Sequence, residues 1–268
     1  MRSGSILASL FIAAACAFGN AAVAAELRLL AAELPPYSFH VPPPTVSEFG
    51  KPTGAIYDIV RRMAQRVGHS GRIEFMPWTR AQEIAESESG VGILALTRTP
   101  ERDPHYSWIA PIVIDDLVLV GGAGVDVSSL DKVKDRPTGV LRRSGAEALL
   151  REQGFTRIAP VSEEWINAQK LRDRLIDAWL APRLMVLYGY REVGGDVTAL
   201  NIGQIVRRSD IYLAGSKDLP AEVIERWRSA FEALKADGTV DRIIASYSSL
   251  RPDTIPGELR RPSDEIRW

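Results

Sequence analysis

Short apolar runs alternate with amphipathic helical stretches from about residue 27 to about residue 96, and the alternation starts afresh near residue 138. Residues 27–32, 73–76 and 91–96 have the length and near-continuous apolar character of strands buried on both faces, as in a parallel sheet. Between the first two, residues 55–67 place Ile56, Ile59, Val60, Met63 and Val67 at helical spacing, and Gly68 suits the left-handed residue that ends a helix. A shorter helix is predicted over 80–87. The order βαβαβ calls for a parallel sheet with right-handed crossovers. The second series predicts strands at 138–141, 157–161 and 176–180, with helices over 146–153, 162–174 and 182–192. Ser162 is the expected cap of the middle helix and Pro182 the expected first-turn residue of the last.

Two stretches join the series. Residues 112–120 are strongly β-forming; Asp115 and Asp116 are expected to interrupt them as a solvated pair near a hinge. Residues 121–124, Gly-Gly-Ala-Gly, suit a crossing between bodies. One or two strands are expected in 197–206, and a separate strand over 210–214 returns to the first body. Residues 220–236 carry Val223, Ile224, Trp227, Phe231 and Leu234 on one stripe, and 240–247 form a last helix. Trp108 and Trp179 are expected in the core. The fold class is therefore α/β with two lobes, each a mostly parallel sheet flanked by helices, joined by two crossing strands. The expected division is 26–113 and 208–250 for one lobe, 114–207 for the other, and a loosely packed tail at 251–268. Clefts between such bodies are common ligand sites.

The first 25 residues read as an address. Arg2 precedes an apolar, Ala-rich run at 6–18, and Ala22-Val23-Ala24-Ala25 offers small residues to a signal peptidase. The expected location is the periplasm. Cys16 is the single cysteine and lies in this segment, so the exported chain is expected to carry no disulfide. A lipid anchor on Cys16 is the weaker alternative, because the usual Leu three residues before it is missing. With a net charge of −1 and 25% charged residues, no basic bias points to nucleic acid. His69 and His105 stand alone without ligands at metal spacing, and no Ser–His–acid pattern is visible. No metal, cofactor or nucleophilic catalysis is expected.

The site chemistry centres on residues 91–102. Thr97, Arg98 and Thr99 follow the buried run; Pro100 ends it, and Arg102 comes just beyond. A guanidinium held past the carboxyl end of a buried strand is a planar fork for a carboxylate or phosphate, where open α/β sheets place their ligands. The alternative is a surface Arg that helps cap a helix. Ser144 and Gly145 open a predicted helix whose free amides favour an anion.

Several segments occur in a telling order. Pro-Pro-Tyr-Ser-Phe follows strand one, Gly-x-x-x-Asp-Ile-Val enters helix one, and Pro-Trp-Thr-Arg-Ala follows strand two. Thr-Arg-Thr-Pro-Glu-Arg, Ala-Gly-Ser-Lys-Asp-Leu-Pro and Leu-Lys-Ala-Asp-Gly-Thr-Val-Asp-Arg-Ile come after. The set resembles the family 3 extracellular solute-binding proteins, periplasmic receptors of polar amino-acid ABC importers, over about residues 27–250. The resemblance implies a type II two-lobed fold that closes by hinge motion. It implies that Arg102, with Thr97 five residues before, grips a ligand carboxylate, and that Ser144 and Gly145 face the same group. Trp78 and the turn from Leu34 to Tyr37 match pocket-wall positions, and Arg80 is a further candidate from the same segment as Trp78. One departure concerns the acid that holds the ligand ammonium in amino-acid binders. Ala181-Pro182 stands in that place, and Glu33 is the candidate replacement. The expected function is a monomeric receptor that passes a small polar, carboxylate-bearing solute to an inner-membrane ABC permease. The rivals are a lyase of the cyclohexadienyl-dehydratase type and an accessory protein with a degenerate cleft.

Overall fold

A computed structural model of the chain describes residues 26–41 and 50–248. The leader with Cys16, and the tail at 251–268, lie outside the described residues. In chain order the elements are β1 (Arg28–Ala31), β2 (Phe39–Val41), β3 (Lys51–Thr53), α1 (Ala55–Val67), β4 (Ile73–Phe75), α2 (Trp78–Ser87), β5 (Val91–Thr97) and β6 (Tyr106–Gly121). A 3-10 turn at Leu130–Val133 leads to β7 (Thr138–Leu141), α3 (Gly145–Glu152), β8 (Ile158–Val161), α4 (Glu164–Arg172), β9 (Ala178–Pro182) and α5 (Arg183–Glu192). The chain closes with β10 (Asn201–Ser216), α6 (Ala221–Ala236) and α7 (Thr239–Ser248).

Eight strands form one sheet in the order β4-β1-β5-β10-β6-β9-β7-β8, and β2 and β3 pair separately. At one end β1 pairs in parallel with β4 and β5; at the other β7 pairs in parallel with β8 and β9. The antiparallel pair β6–β10, each strand sixteen residues long, joins the two ends. The apolar cores divide in the same way. Leu30, Ile56, Met63, Leu94 and Trp227 belong to one cluster, in which α1, α2 and α6 cover the β1–β5 end. Leu150, Val140 and Leu180 lie on one face of the far end, and Leu171, Trp179 and Val186 on the other. The result is the expected two-lobed α/β architecture. β1 reads as a continuous apolar run because Leu29 and Leu30, on opposite faces, are both buried. Gly68 ends α1 at φ 73, as its position predicts.

The structure corrects several local expectations. Asp115 and Asp116 do not break β6, and 201–206 and 210–214 belong to one strand, β10. Each strand finds its partner in the other, and that ladder overrides the poor strand propensity of Asp. Asp115 is not solvated; it is 7% exposed. α2 begins at Trp78 rather than Arg80, because Pro77 supplies the N-cap backbone with φ −54. α4 is capped by Glu163 and not by Ser162, without a side-chain cap bond, since the Glu163 carboxylate instead accepts from Trp165 Nε1 at 2.5 Å. Trp179 is fully buried, whereas Trp108 is partly buried against the first core. No helix among the described residues is long and apolar enough to cross a membrane.

Candidate functional site

The floor of the interlobe cleft follows from strand alternation. Between Arg207 and Ile211 the β6–β10 register is unbroken, with Arg207 opposite Leu117, Ser209 opposite Asp115 and Ile211 opposite Val113. Period two puts Arg207, Ser209 and Ile211 on one face of β10, and Asp115 and Leu117 on the matching face of β6; all five line the cavity. The first lobe adds Leu34, Tyr37, Trp78, Ala95, Thr97 and Arg102. The second adds Leu141, Ser144, Gly145, Ala146, Glu164, Pro182 and Met185. The cavity measures about 50 Å³ at the centres of water-sized spheres, room for about three to five waters. The lobes are thus close together around a small space.

Arg102 is set by the loop that leaves β5. Its Nη1 donates to the Thr97 carbonyl at 2.9 Å, and its Nη2 to Gln82 Oε1 at 3.1 Å and to the Arg143 carbonyl at 2.7 Å. All three acceptors are uncharged. Burial lowers its pKa, yet a guanidinium remains protonated. Ala95 lies just before, at φ 62, where the β5–β10 register slips between Tyr212 and Ala214. A slip of this kind locally bends and twists a strand, and Ala95 lines the cavity. Across the cleft, Arg143 holds φ 56 and sends its own side chain back to the first lobe, 3.4 Å from Glu83 and 3.3 Å from Glu86. The two arginines therefore clasp the lobes from opposite sides.

Ser144 is the N-cap of α3, its Oγ accepting from the Glu147 amide at 3.1 Å, while Glu147 Oε2 accepts from the Arg143 amide at 2.6 Å. The amides of Gly145 and Ala146, at the start of the helix, have no intrahelical acceptor and border the cavity. A side chain at Gly145 would meet Thr99 Cγ2 at 3.3 Å and Arg207 Nη2 at 3.7 Å, so it would press on the facing lobe at Thr99.

Two acids share the cavity. Asp115 accepts the Tyr37 hydroxyl, the Leu184 amide at 3.1 Å and the Asp116 amide at 2.7 Å. Burial raises its pKa against the pull of these donors, and burial together with the adjacent Asp115 charge raises that of Tyr37. Glu164 accepts from Asn167 Nδ2 and Trp179 Nε1, both at 2.9 Å, and burial pushes its carboxyl up to about 7.

Six of the eight residues singled out from sequence meet here: Tyr37, Trp78, Thr97, Arg102, Ser144 and Gly145. Glu33 and Arg80 do not. Glu33 lies outside the cavity and pairs with His40 at 2.5 Å, beside an outer pocket with Trp165 and Tyr188. Arg80 lies about 200° around α2 from Trp78, so a cavity-facing Trp78 turns it to solvent. Its side chain is 61% exposed and 3.5 Å from Glu83. Sequence reading passed over Asp115, Glu164 and Arg207. For Asp115 and Arg207 the period-two alternation was the available signal; for Glu164 there was none. Among the described residues no cluster of His, Cys, Asp and Glu could hold a metal ion.

Residues 30–249 match the family described as bacterial extracellular solute-binding proteins, family 3. No curated protein matches the chain. Among solved structures, an ancestral arginine-binding protein bound to arginine is 21% identical with a TM-score of 0.70, covering 83% of this chain and 97% of that one. A histidine kinase sensor domain with similarity to periplasmic binding proteins is 17% identical with a TM-score of 0.72, covering 84% and 97%. The GluR0 ligand-binding core of Nostoc punctiforme in complex with L-glutamate is 18% identical with a TM-score of 0.70, covering 82% and 98%. At such identities the likeness shows a common two-lobed fold.

Proposed function

We propose, for a chain that belongs to the family 3 bacterial extracellular solute-binding proteins, that its cavity captures a small polar solute by a carboxylate and presents it to an ABC permease. The observation that carries this reading is Arg102: a largely buried guanidinium at the cavity wall whose three hydrogen bonds all go to uncharged oxygens. A buried cation without a contacting counterion is costly, and an incoming carboxylate supplies one. The lobes proposed from sequence, 26–113 with 208–250 and 114–207, meet at β6 and β10, where the hinge lies. The solute docks on Arg102 and Thr97 between Tyr37 and Trp78. Closure then brings up the Gly145 and Ala146 amides, with the carboxylate in the place that the Arg143 carbonyl holds on Arg102 in the ligand-free closed form. Closure is a population shift, driven by contacts that exist only when both lobes touch the ligand. The family, with the leader expected from sequence, supports an extracytoplasmic, periplasmic location. The ligands of the neighbours, arginine and L-glutamate, support an amino-acid-like or organic-acid solute.

The test is thermal unfolding with a panel of amino acids and organic acids on wild type and Arg102→Gln. A ligand at 100 times its Kd stabilises the wild type by about 2.7 kcal/mol. The stabilisation is expected to vanish in the variant. Equal stabilisation of both proteins would remove Arg102 from the site.

A second reading, a lyase on the same scaffold, draws on Glu164. A cavity carboxyl titrating near neutrality has the property of a general acid. Incubation with prephenate or arogenate decides it: decarboxylating dehydration that is lost in Glu164→Gln supports the enzyme, and no turnover supports the receptor.

A further inference from the structure

Arg207 stands apart from the other charged groups of the cavity wall. Its guanidinium makes no hydrogen bond and no ion pair among the described residues, yet it points from the floor strand into the cavity. Its Nη2 approaches to 3.7 Å the place a side chain at Gly145 would occupy. Arg102 Nη2 donates to the carbonyl of Arg143, two residues earlier. Two guanidiniums therefore flank one turn, residues 143–145, at the amino end of α3.

Neither finds a carboxylate inside the cavity. Asp115 is occupied by the Tyr37 hydroxyl and two amides, and Glu164 by Asn167 and Trp179. Glu83 and Glu86 are engaged by Arg143. Glu101 acts on both guanidiniums through space from an exposed position. One ligand carboxylate, held by Arg102 and the Gly145 and Ala146 amides, leaves the charge of Arg207 unanswered. From this we infer that the cleft selects a small dicarboxylate, with Arg207 gripping its second carboxylate. The inference rests on the reading that Arg102 grips the first. The cavity sets the size: three to five waters, at about 30 Å³ each, amount to about 90–150 Å³, the scale of a four- or five-carbon diacid. The same occupancy of Asp115 disfavours a ligand ammonium there, because its oxygens already accept three donors.

Isothermal titration calorimetry with succinate, glutarate and butyrate tests this on wild type, Arg207→Gln, Arg207→Lys and Arg102→Gln, each first shown to unfold cooperatively. The wild type is expected to bind a diacid at least about tenfold tighter than butyrate, one good charge-assisted contact being worth about that factor. Arg207→Gln should lose that preference, its diacid affinity falling to that for butyrate, Arg207→Lys should restore part of it, and Arg102→Gln should lose both classes. If Arg207→Gln keeps the preference, or wild type binds mono- and diacids alike while Arg102→Gln binds neither, the inference fails and the carboxylate reading stands. If no acid binds, or Arg102→Gln binds all of them as wild type does, both fail.

Discussion

Replacing Arg143 by Ala should open the protein. The side chain crosses from the second lobe to Glu83 and Glu86 on α2, at 3.4 and 3.3 Å, and its own carbonyl receives Arg102. These carboxylates and the guanidinium are about a third to a half exposed, so each pair contributes only about 0.2–1 kcal/mol. Together the two favour contact between the lobes by about 0.5–2 kcal/mol, a factor of about 2–30 in the closed-to-open ratio. The substitution spares the Arg143 carbonyl and its bond to Arg102, and Ala bears the left-handed backbone at a cost similar to that of Arg. The assay is fluorescence transfer between dyes on the two lobes, or small-angle scattering, on the ligand-free protein. The variant should show a larger open fraction, and high salt should bring the wild type toward it, because such pairs are screened. An unchanged distance distribution, or a wild-type closed fraction that ignores salt, would refute the clasp.

Two further perturbations test the buried acids. Glu164 titrates at about 7 when folded and near 4.5 when unfolded, so between those values the folded state holds the proton longer. Its contribution is neutral below pH 4.5, and stability falls as pH rises through 7, by about 3 kcal/mol. Glu164→Gln keeps an acceptor for Asn167 and Trp179 without the ionisation, so its thermal stability relative to wild type should rise from pH 5 to pH 8; parallel curves would exclude the linkage. Tyr37→Phe removes a hydroxyl from Asp115 and should cost about 1–3 kcal/mol in denaturant unfolding near neutral pH. A cost near zero would show that Asp115 does not depend on that bond.

The parts legible in sequence are those governed by local pattern. The stripe of Ile56, Ile59, Val60 and Met63 yields α1, and the apolar run from Val91 yields β5, because burial on one helix face or on both strand faces leaves its period in the chain. Arg102 could be placed because it follows directly from the end of that strand. Arg80 shares a segment with Trp78 but lies about 200° around α2 from it, on the solvent side. Asp115, Arg207 and Glu164 depend on partners far along the chain. Asp115 looks like a surface acid until β10 covers its strand, and Glu164 looks like a first-turn acid until Trp179, fifteen residues later, buries it. Glu33 shows the converse: chemistry suited to the missing ammonium ligand, on the wrong side of the chain.

The ladder between β6 and β10 slips on both sides of its regular segment, between Ile205 and Arg207 and between Ile211 and Tyr212. Pairing between the slips is unbroken, so that stretch is held as one plank. A guest resting on Arg207 and Ser209, as proposed above, would gain the same from that plank whether the jaws are apart or shut. Such contacts can hold the guest but cannot drive the jaws together; that work falls to groups facing each other across the gap, Thr97 and Arg102 on one side and the start of α3 on the other.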